Sequence, residues 1–215
     1  MTKAIIWDMD GVLADTGEAH FRAWQTLLAD RGGITRDQFK ETFGMANRAI
    51  LKRWLGDDAP PALLEKLAAR KELRFRALVD ECVRILPGVL DWLERGRQRG
   101  YRQVVASSGE MDNIVAVTAV LGIGNYFDAL LSGAFLPHSK PDPAIFLRAA
   151  AAAGVAPADC LVIEDAVVGV EAAHRAGMRC IAVTTTRSAQ ELAEADLVID
   201  SLASLDEGTF DRLLA

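Results

Sequence analysis

Two aspartates near the N-terminus, Asp8 and Asp10, follow a short apolar run and precede Gly11. An apolar run of this length predicts a buried strand over residues 3–7. Side chains at i and i+2 of an extended chain leave on the same side, so the two carboxylates should lie side by side. Gly11 then allows a tight turn. Because ligands bind at the carboxyl ends of strands in open α/β sheets, this pair is a candidate reaction centre.

Carboxylates this close repel each other unless their charge is offset. A bound cation can offset the charge of one, and protonation can remove the charge of the other. That difference would make one carboxylate a nucleophile and the other a general acid. Taken alone, an Asp-x-Asp-Gly segment is equally typical of a solvated turn, because aspartate and glycine are common in turns. The choice between the two readings depends on whether the rest of the chain supplies matching residues.

A second acidic pair, Glu164 and Asp165, closes an apolar run that predicts a strand over residues 160–164. These side chains should face the same site as Asp8 from another strand. Together they form a cluster of oxygen ligands of the kind that Mg²⁺ prefers. A metal there would orient a phosphoryl group and neutralise its charge. The alternative for the pair is a helix N-terminal cap before Val167.

Two further segments supply groups that can hold a phosphate. Ser107 ends a strand predicted over residues 102–106, and its hydroxyl with the backbone N–H of Ser108 can hold a phosphate oxygen near the next helix N-terminus. Taken alone, a Ser-Ser-Gly segment is more typical of a plain loop. Lys140 precedes Pro141, in a segment that cannot be regular helix. A fixed ammonium at that position would offset the negative charge of the carboxylates and the phosphate.

These segments resemble known motifs when taken together. Residues 8–16 closely resemble the first motif of the haloacid dehalogenase superfamily, and the resemblance runs from residue 3 to about residue 200. Residues 18–24 are most similar to the β-phosphoglucomutase subgroup and its relatives among small sugar-phosphate phosphatases. Three segments match the later motifs of the superfamily in order: 105–109, 139–143 and 162–170.

The resemblance implies a role for each residue of the first and last motifs. Asp8 would be the nucleophile that forms an aspartyl-phosphate, and Asp10 the general acid and base. The backbone carbonyl of Asp10 would also contact the metal. Asp165 would ligate Mg²⁺ directly, whereas Glu164 would act partly through water.

The subgroup also implies roles for residues 20–77. His20 would act where the two domains meet, linking closure to Asp10. Arg48 stands near the position of a phosphate-binding arginine, although this sequence has one residue more between Gly44 and that arginine, and Asn47 is a neighbour that could substitute. The subgroup's lysine on the fourth helix aligns with Ala77, beside Arg76, which predicts that this contact is lost.

Periodicity divides the chain into a helical segment and an α/β segment. Residues 15–85 carry helical patterns only, and predict an inserted cap domain. Residues 1–14 and 86–215 alternate strands with helices, which predicts a Rossmann-like, doubly wound parallel sheet. The helices predicted in the cap span residues 15–31, 35–42, 47–55 and 62–81, and the last helix of the core is predicted near residues 188–193.

The composition limits the kind of partner. The chain is 51% hydrophobic and 25% charged with a net charge of −6, which is typical of a globular protein and gives no sign of a nucleic-acid or anionic-membrane partner. No apolar run reaches the roughly 20 residues that a membrane helix needs. The N-terminus runs directly into a core strand without a signal peptide, so a reducing cytoplasm is expected. The expected partner is a small-molecule phosphate ester, and the expected assembly is a monomer or weak homodimer.

The leading hypothesis is a Mg²⁺-dependent phosphatase that acts through an aspartyl-phosphate on a small metabolite such as a sugar phosphate. The alternative is a β-phosphoglucomutase-like phosphotransferase, which His20 favours, whereas the extra residue before Arg48 and the presence of Ala77 favour the phosphatase. A 2-haloacid dehalogenase fits less well, because that chemistry has no use for the acid at Asp10. A non-catalytic protein that binds a phosphate ligand is the remaining alternative.

Overall fold

Short apolar runs form the strands of the sheet that carries the candidate site. The computed structural model describes residues 2–215. All four residues of the first strand are fully buried, as expected of a strand covered on both faces. The strands are β1 (Ala4–Trp7), β2 (Ala14–Asp15), β3 (Arg84–Ile85), β4 (Arg102–Ser107), β5 (Ala129–Ser132), β6 (Cys160–Glu164), β7 (Arg179–Val183) and β8 (Leu197–Ile199).

Six of these strands form one parallel sheet in the order β5-β4-β1-β6-β7-β8. The first strand lies between β4 and β6, with Trp7 opposite Val105 on one side and Ile163 on the other. The chain builds outward from β1 to β5 and then returns to β6 on the other side. That reversal places the topological switch point at the carboxyl end of β1, where ligands bind in open sheets.

Helices cover both faces of this sheet. Ile6 packs in a cluster with residues of α7 (Ala144–Ala153) and α8 (Val167–Arg175). On the opposite face, the ring of Trp7 lies 6.3 Å from that of Phe210 in α9 (Thr209–Leu213). The predicted doubly wound α/β fold is therefore confirmed. Among the described residues the α-helices are α1 (Gly17–Leu27), α2 (Arg36–Thr42), α3 (Asn47–Leu55), α4 (Pro61–Cys82), α5 (Val89–Gln98), α6 (Met111–Val120), α7 (Ala144–Ala153), α8 (Val167–Arg175) and α9 (Thr209–Leu213).

The chain forms two compact units. The core unit contains the residues up to Asp15 together with Ile85–Ala215, and the helical unit is Thr16–Arg84. The helical unit contains α1 to α4, and Thr35 begins α2 with a reciprocal capping box that involves Gln38. Its own apolar cluster consists of Phe21, Trp24, Leu28, Ile34, Phe39, Ile50, Leu51, Leu64 and Leu67.

In the C-terminal part of the core unit, one predicted helix is absent and one helix was not predicted. No helix forms over residues 188–193, which are turns apart from the exposed Ser188. Ser188 and Glu191 hydrogen-bond each other's backbone N–H, and Leu192 N–H donates to the carbonyl of Ser188, so a single turn is closed and not extended. The short helix α9 was not predicted. None of the helices within residues 2–215 is long and apolar enough to cross a bilayer.

Candidate active site

The first strand continues in extended form into the candidate nucleophile. Asp8 N–H donates to the carbonyl of Ile163 at 3.0 Å, which carries the β1–β6 pairing one residue beyond the strand. Gly11 then turns the chain with φ of +80°, a conformation that favours glycine. A Cβ at Gly11 would lie 2.1 Å from Oδ2 of Asp165, so only a glycine lets this loop approach that carboxylate. The first and last motifs therefore meet at the same edge of the sheet.

A buried lysine joins two of the predicted acidic residues. Lys140 Nζ lies 2.5 Å from Oδ1 of Asp8 and 2.5 Å from Oε1 of Glu164, and its side chain is 6% exposed. The ammonium also lies 4.9 Å from the centre of the Phe146 ring, over its face. The structure thus brings together three residues that are far apart in the chain, and both ion pairs are shielded from water.

Both oxygens of Glu164 are already engaged. Oε1 receives the ammonium of Lys140, and Oε2 accepts the backbone N–H groups of Asp165 and Ala166 at 2.9 and 3.0 Å. Gly169 in α8 leaves the space that this carboxylate fills, because a Cβ there would lie 2.0 Å from Cδ of Glu164. This geometry fits a Glu164 that acts on a metal through water better than one that contacts it directly.

The other predicted ligand, Asp165, is held through one oxygen. Its Oδ2 accepts the hydroxyl of Thr186 at 2.5 Å, and the same hydroxyl lies 3.0 Å from the backbone carbonyl of Asp165. Thr186 was missed by the sequence reasoning. It lies in the segment after β7, and neither its residue type nor its spacing marks it as part of a motif.

Burial and crowding of charge shift the ionisation of this cluster. Burial raises the pKa of Asp8 to about 7; the ammonium of Lys140 lowers it, and the carboxylates of Glu164 and Asp10 raise it. Burial, with Glu164 and Asp8, also holds the pKa of Asp165 well above its usual range. Burial acts to lower the pKa of Lys140, yet Asp8 and Glu164 leave it raised. Three buried carboxylates thus share one ammonium, an imbalance that a bound cation would relieve.

The donor set fits a divalent cation that keeps part of its water shell. Within residues 2–215, no group of three or more His, Cys, Asp or Glu side chains forms a complete metal site. Mg²⁺ is usually held by one or two carboxylates, with waters and substrate phosphate completing its octahedron. Asp8 and Asp165 each use one carboxylate oxygen in the hydrogen bonds described above, which leaves the other oxygen of each for a cation.

The predicted phosphate-binding serines lie at the same edge of the sheet. Ser107 is the last residue of β4, is buried, and accepts the backbone N–H of Gly109 at 3.1 Å through its hydroxyl oxygen. That bond leaves the hydroxyl hydrogen to be donated. Ser108 is exposed, in the loop before α6. The edge therefore presents hydroxyl and backbone donors next to the strand that carries Asp8.

The helical unit contains a separate buried polar cluster around His20. The ammonium of Lys71 donates to Nδ1 of His20 at 2.7 Å and to Oε1 of Glu72 at 2.9 Å. The amide of Asn47 donates to the same Glu72 oxygen at 2.5 Å, and the ring of His20 stacks on Phe75 with 4.0 Å between centroids. The predicted His20 and Asn47 are thus joined by two charged residues that the sequence reasoning missed.

The expected loss of the subgroup's lysine contact at Ala77 stays a prediction, but the fourth helix does carry a buried lysine, Lys71. Lys71 falls on the buried stripe of α4 with Leu67 and Phe75, whereas Ala77 is exposed. A charged residue on an apolar helical stripe was the signal that could have identified it.

Arg48 is exposed near the start of α3, and no residue in the described part of the chain forms a hydrogen bond or ion pair with it.

Comparison with known proteins gives a consistent set of relatives. The chain is 34% identical to β-phosphoglucomutase of Bacillus subtilis, over 94% of this chain and 91% of that protein. It is 30% identical to hexitol phosphatase B of Escherichia coli, over 94% of this chain and 93% of that protein. The crystal structure of CbbY from Rhodobacter sphaeroides in complex with phosphate matches with a TM-score of 0.89 and 29% identity, covering 98% of this chain and all of that one.

A longer relative differs in extent. The chain is 34% identical over 206 residues to the Arabidopsis thaliana chloroplastic protein SUPPRESSOR OF QUENCHING 1, but spans only 19% of that protein's length. The family model for haloacid dehalogenase-like hydrolases matches residues 2–177, most of the chain. With the four motifs on adjacent strand ends of one parallel sheet, the chain belongs to the haloacid dehalogenase-like hydrolases.

Proposed function

We propose that this protein is a Mg²⁺-dependent phosphatase that hydrolyses a small phosphorylated metabolite, a sugar or polyol phosphate, through an aspartyl-phosphate on Asp8. The observation that carries the proposal is the buried Asp8 carboxylate at the topological switch point, paired with Lys140. Two relatives support the substrate class by name, hexitol phosphatase B and a CbbY variant crystallised with xylulose 1,5-bisphosphate.

The reaction proceeds in two displacements. A carboxylate oxygen of Asp8 attacks phosphorus, the bond to the ester oxygen breaks, and Asp10 donates a proton to that leaving oxygen. Asp10 then takes a proton from water as the water attacks the phosphorylated Asp8, which releases inorganic phosphate and restores the carboxylate. Lys140 stays fixed between Asp8 and Glu164, where its charge offsets the negative charge that gathers during each displacement.

Asp8, Asp165 and the backbone carbonyl of Asp10 would hold the metal, with Glu164 acting through water. When bound, Mg²⁺ neutralises and orients the phosphoryl group. Ser107 and the N–H of Ser108 would hold a phosphate oxygen. Arg48 is an exposed cation with no hydrogen-bond or ion-pair partner within residues 2–215, and we assign it to a second anionic group of the substrate.

Hydrolysis of an aryl phosphate with and without Mg²⁺ tests the chemistry. We expect turnover only with the metal, and its loss by several orders of magnitude in Asp8→Asn, because an amide cannot serve as the nucleophile. Asp57→Asn, the same change at an exposed loop position, is the control and should leave turnover unchanged. Acid-quenched wild-type protein should carry one phosphoryl group by mass spectrometry. Full activity in Asp8→Asn would contradict the mechanism.

A β-phosphoglucomutase-like phosphotransferase is the second candidate, favoured by the identity to the Bacillus protein and by His20 with its lysine partner. The two candidates differ in the acceptor of the phosphoryl group. With β-glucose 1-phosphate, Mg²⁺ and a trace of glucose 1,6-bisphosphate, a phosphatase yields mainly inorganic phosphate, and a mutase yields mainly glucose 6-phosphate. A panel of hexitol and ketose phosphates would then define the substrate.

A further inference from the structure

The segment that follows β7 returns to the acidic edge of the sheet. Thr184 N–H donates to the carbonyl of Ile199 at 2.9 Å, which extends the pairing of β7 with β8 by one residue. Two residues later, Thr186 reaches Asp165 with its hydroxyl, and its methyl carbon would lie 3.0 Å from a Cβ at Gly11. Thr186 therefore packs against both the first and the last motif.

The hydroxyl of Thr186 orients one particular carboxylate. The terminal torsion of an aspartate is soft, so its carboxylate rotates readily unless something fixes it. Here Oδ2 accepts the hydroxyl at 2.5 Å, a charge-assisted bond stronger than a neutral one. With Oδ2 held on Thr186, Oδ1 is the oxygen of Asp165 that remains for another ligand.

We propose that Thr186 is a positioning residue that holds Asp165 in the orientation needed to bind the divalent cation. The inference rests on the metal site of the proposed function. Groups that hydrogen-bond a metal ligand are worth about 10- to 100-fold in metal affinity, a sizeable effect for a residue that does not touch the metal. Thr186 would be the contribution of a further strand end, that of β7, to a site whose motifs follow β1, β4, β5 and β6.

The test is a calorimetric titration of Mg²⁺ into metal-free protein without substrate. Thr186→Val keeps the size and branching of the side chain but removes the hydroxyl, and should weaken Mg²⁺ binding about 10-fold or more. Thr186→Ser restores the donor and should bind within about 3-fold of wild type. Thr185→Val is the matched control, because Thr185 is exposed and its hydroxyl has no hydrogen-bond partner in residues 2–215. Equal affinity in Thr186→Val and Thr185→Val would overturn the inference.

Kinetics separate this role from a general loss of structure. Thr186→Val should raise the Mg²⁺ concentration for half-maximal activity by the same factor, and kcat at saturating Mg²⁺ should stay within about 3-fold of wild type. A fall in kcat that saturating Mg²⁺ does not restore would contradict a positioning role. The titration needs no substrate, so it supports or overturns the inference even if no phosphate ester is hydrolysed, and that last result would refute only the proposed function.

Discussion

At the scale of single residues, two glycines determine where the carboxylates lie. Gly11 and Gly169 each stand where a Cβ would overlap a side chain of the acidic edge, that of Asp165 and Glu164 respectively. The Glu164 carboxylate cannot move away without losing Lys140 or the two backbone N–H groups that it accepts. From the sequence alone, Gly11 is only a turn residue and Gly169 only a helix residue. In the structure, each position requires a glycine because a Cβ there would overlap a carboxylate side chain.

Gly169→Ala should therefore both destabilise the protein and impair the site. Overpacking typically costs about 1–3 kcal/mol in the free energy of unfolding, and displacement of Glu164 would also release Lys140. Urea unfolding and aryl phosphate hydrolysis measure the two effects. Gly124→Ala is the control, since a Cβ there meets nothing within 4 Å and φ is not positive. Equal stability and activity in the two variants would show that Glu164 has room to move.

At the scale of elements, the two edge strands, β5 and β8, are each preceded by an aspartate that bonds the neighbouring strand. Asp128 immediately precedes β5 and accepts the backbone N–H of Gln103 in β4 at 2.8 Å. Asp196 immediately precedes β8 and accepts the backbone N–H of Cys180 in β7 at 2.8 Å. Each aspartate also pairs with the arginine that begins the neighbouring strand, Arg102 or Arg179. These carboxylates extend the ladder at the amino ends of the strands and set the edge register.

Asp196→Ala should lower the free energy of unfolding at pH 7 by about 1–3 kcal/mol, because Cys180 N–H and Arg179 lose their acceptor. Burial acts to raise the pKa of Asp196, but bonds from Cys180, Arg179 and His174 hold it below its usual range. Stability from a carboxylate with a lowered folded pKa is present above the unfolded value and is lost as the pH falls through the folded one.

The difference between wild type and Asp196→Ala should therefore shrink below about pH 4, as measured by urea unfolding at pH 7 and pH 3. Asp200→Ala is the control, because Asp200 is exposed and, among the residues that the structure describes, only the Ser204 hydroxyl donates to it. A difference that stays constant over this range would show that the charge of Asp196 contributes nothing.

At the scale of the whole molecule, each unit has an apolar core of its own. Leu51 is fully buried in the core of the helical unit, whereas Ile6 and Val162 belong to the cluster beneath the sheet. A cavity in one core removes contacts that belong to that core. Because the chain divides at residues 15 and 85, a cavity in one core should destabilise mainly the unit that contains it. Hydrogen exchange of peptides from each unit can measure this.

Leu51→Ala should cost about 2–5 kcal/mol and should act mainly on the helical unit. Hydrogen exchange followed by mass spectrometry should show faster exchange in peptides from residues 16–84, with β1, β4 and β6 unchanged. Leu73→Ala is the matched control on α4, since that side chain is 62% exposed. Equal acceleration in the strands would mean that the two units unfold together.

Local patterns were sufficient for the architecture. Apolar runs predicted β1, β4 and β6, and the boundaries predicted for β6 and α3 agree with the structure to the residue. The limits predicted for α2, residues 35–42, also agree closely with the observed helix and its N-cap Thr35. Such features depend on neighbours within a few positions, which is the range over which periodicity and turn chemistry operate.

The prediction failed over residues 188–193, where Ser188 and Glu191 carry a good capping signal but no apolar stripe follows to be buried.

Residue type and order along the chain thus determined the family resemblance and the α/β fold. They also determined the candidate site residues of the core: Asp8, Asp10, Lys140 and the Glu164–Asp165 pair. The tertiary structure decided which atoms meet: Lys140 lies 132 positions from Asp8 and bonds it, and Thr186 holds Asp165 from another strand end. It also decided that the lysine partner of His20 is Lys71. These contacts join residues from different elements, so they follow from packing and from the pairing of buried charge, which no local pattern encodes.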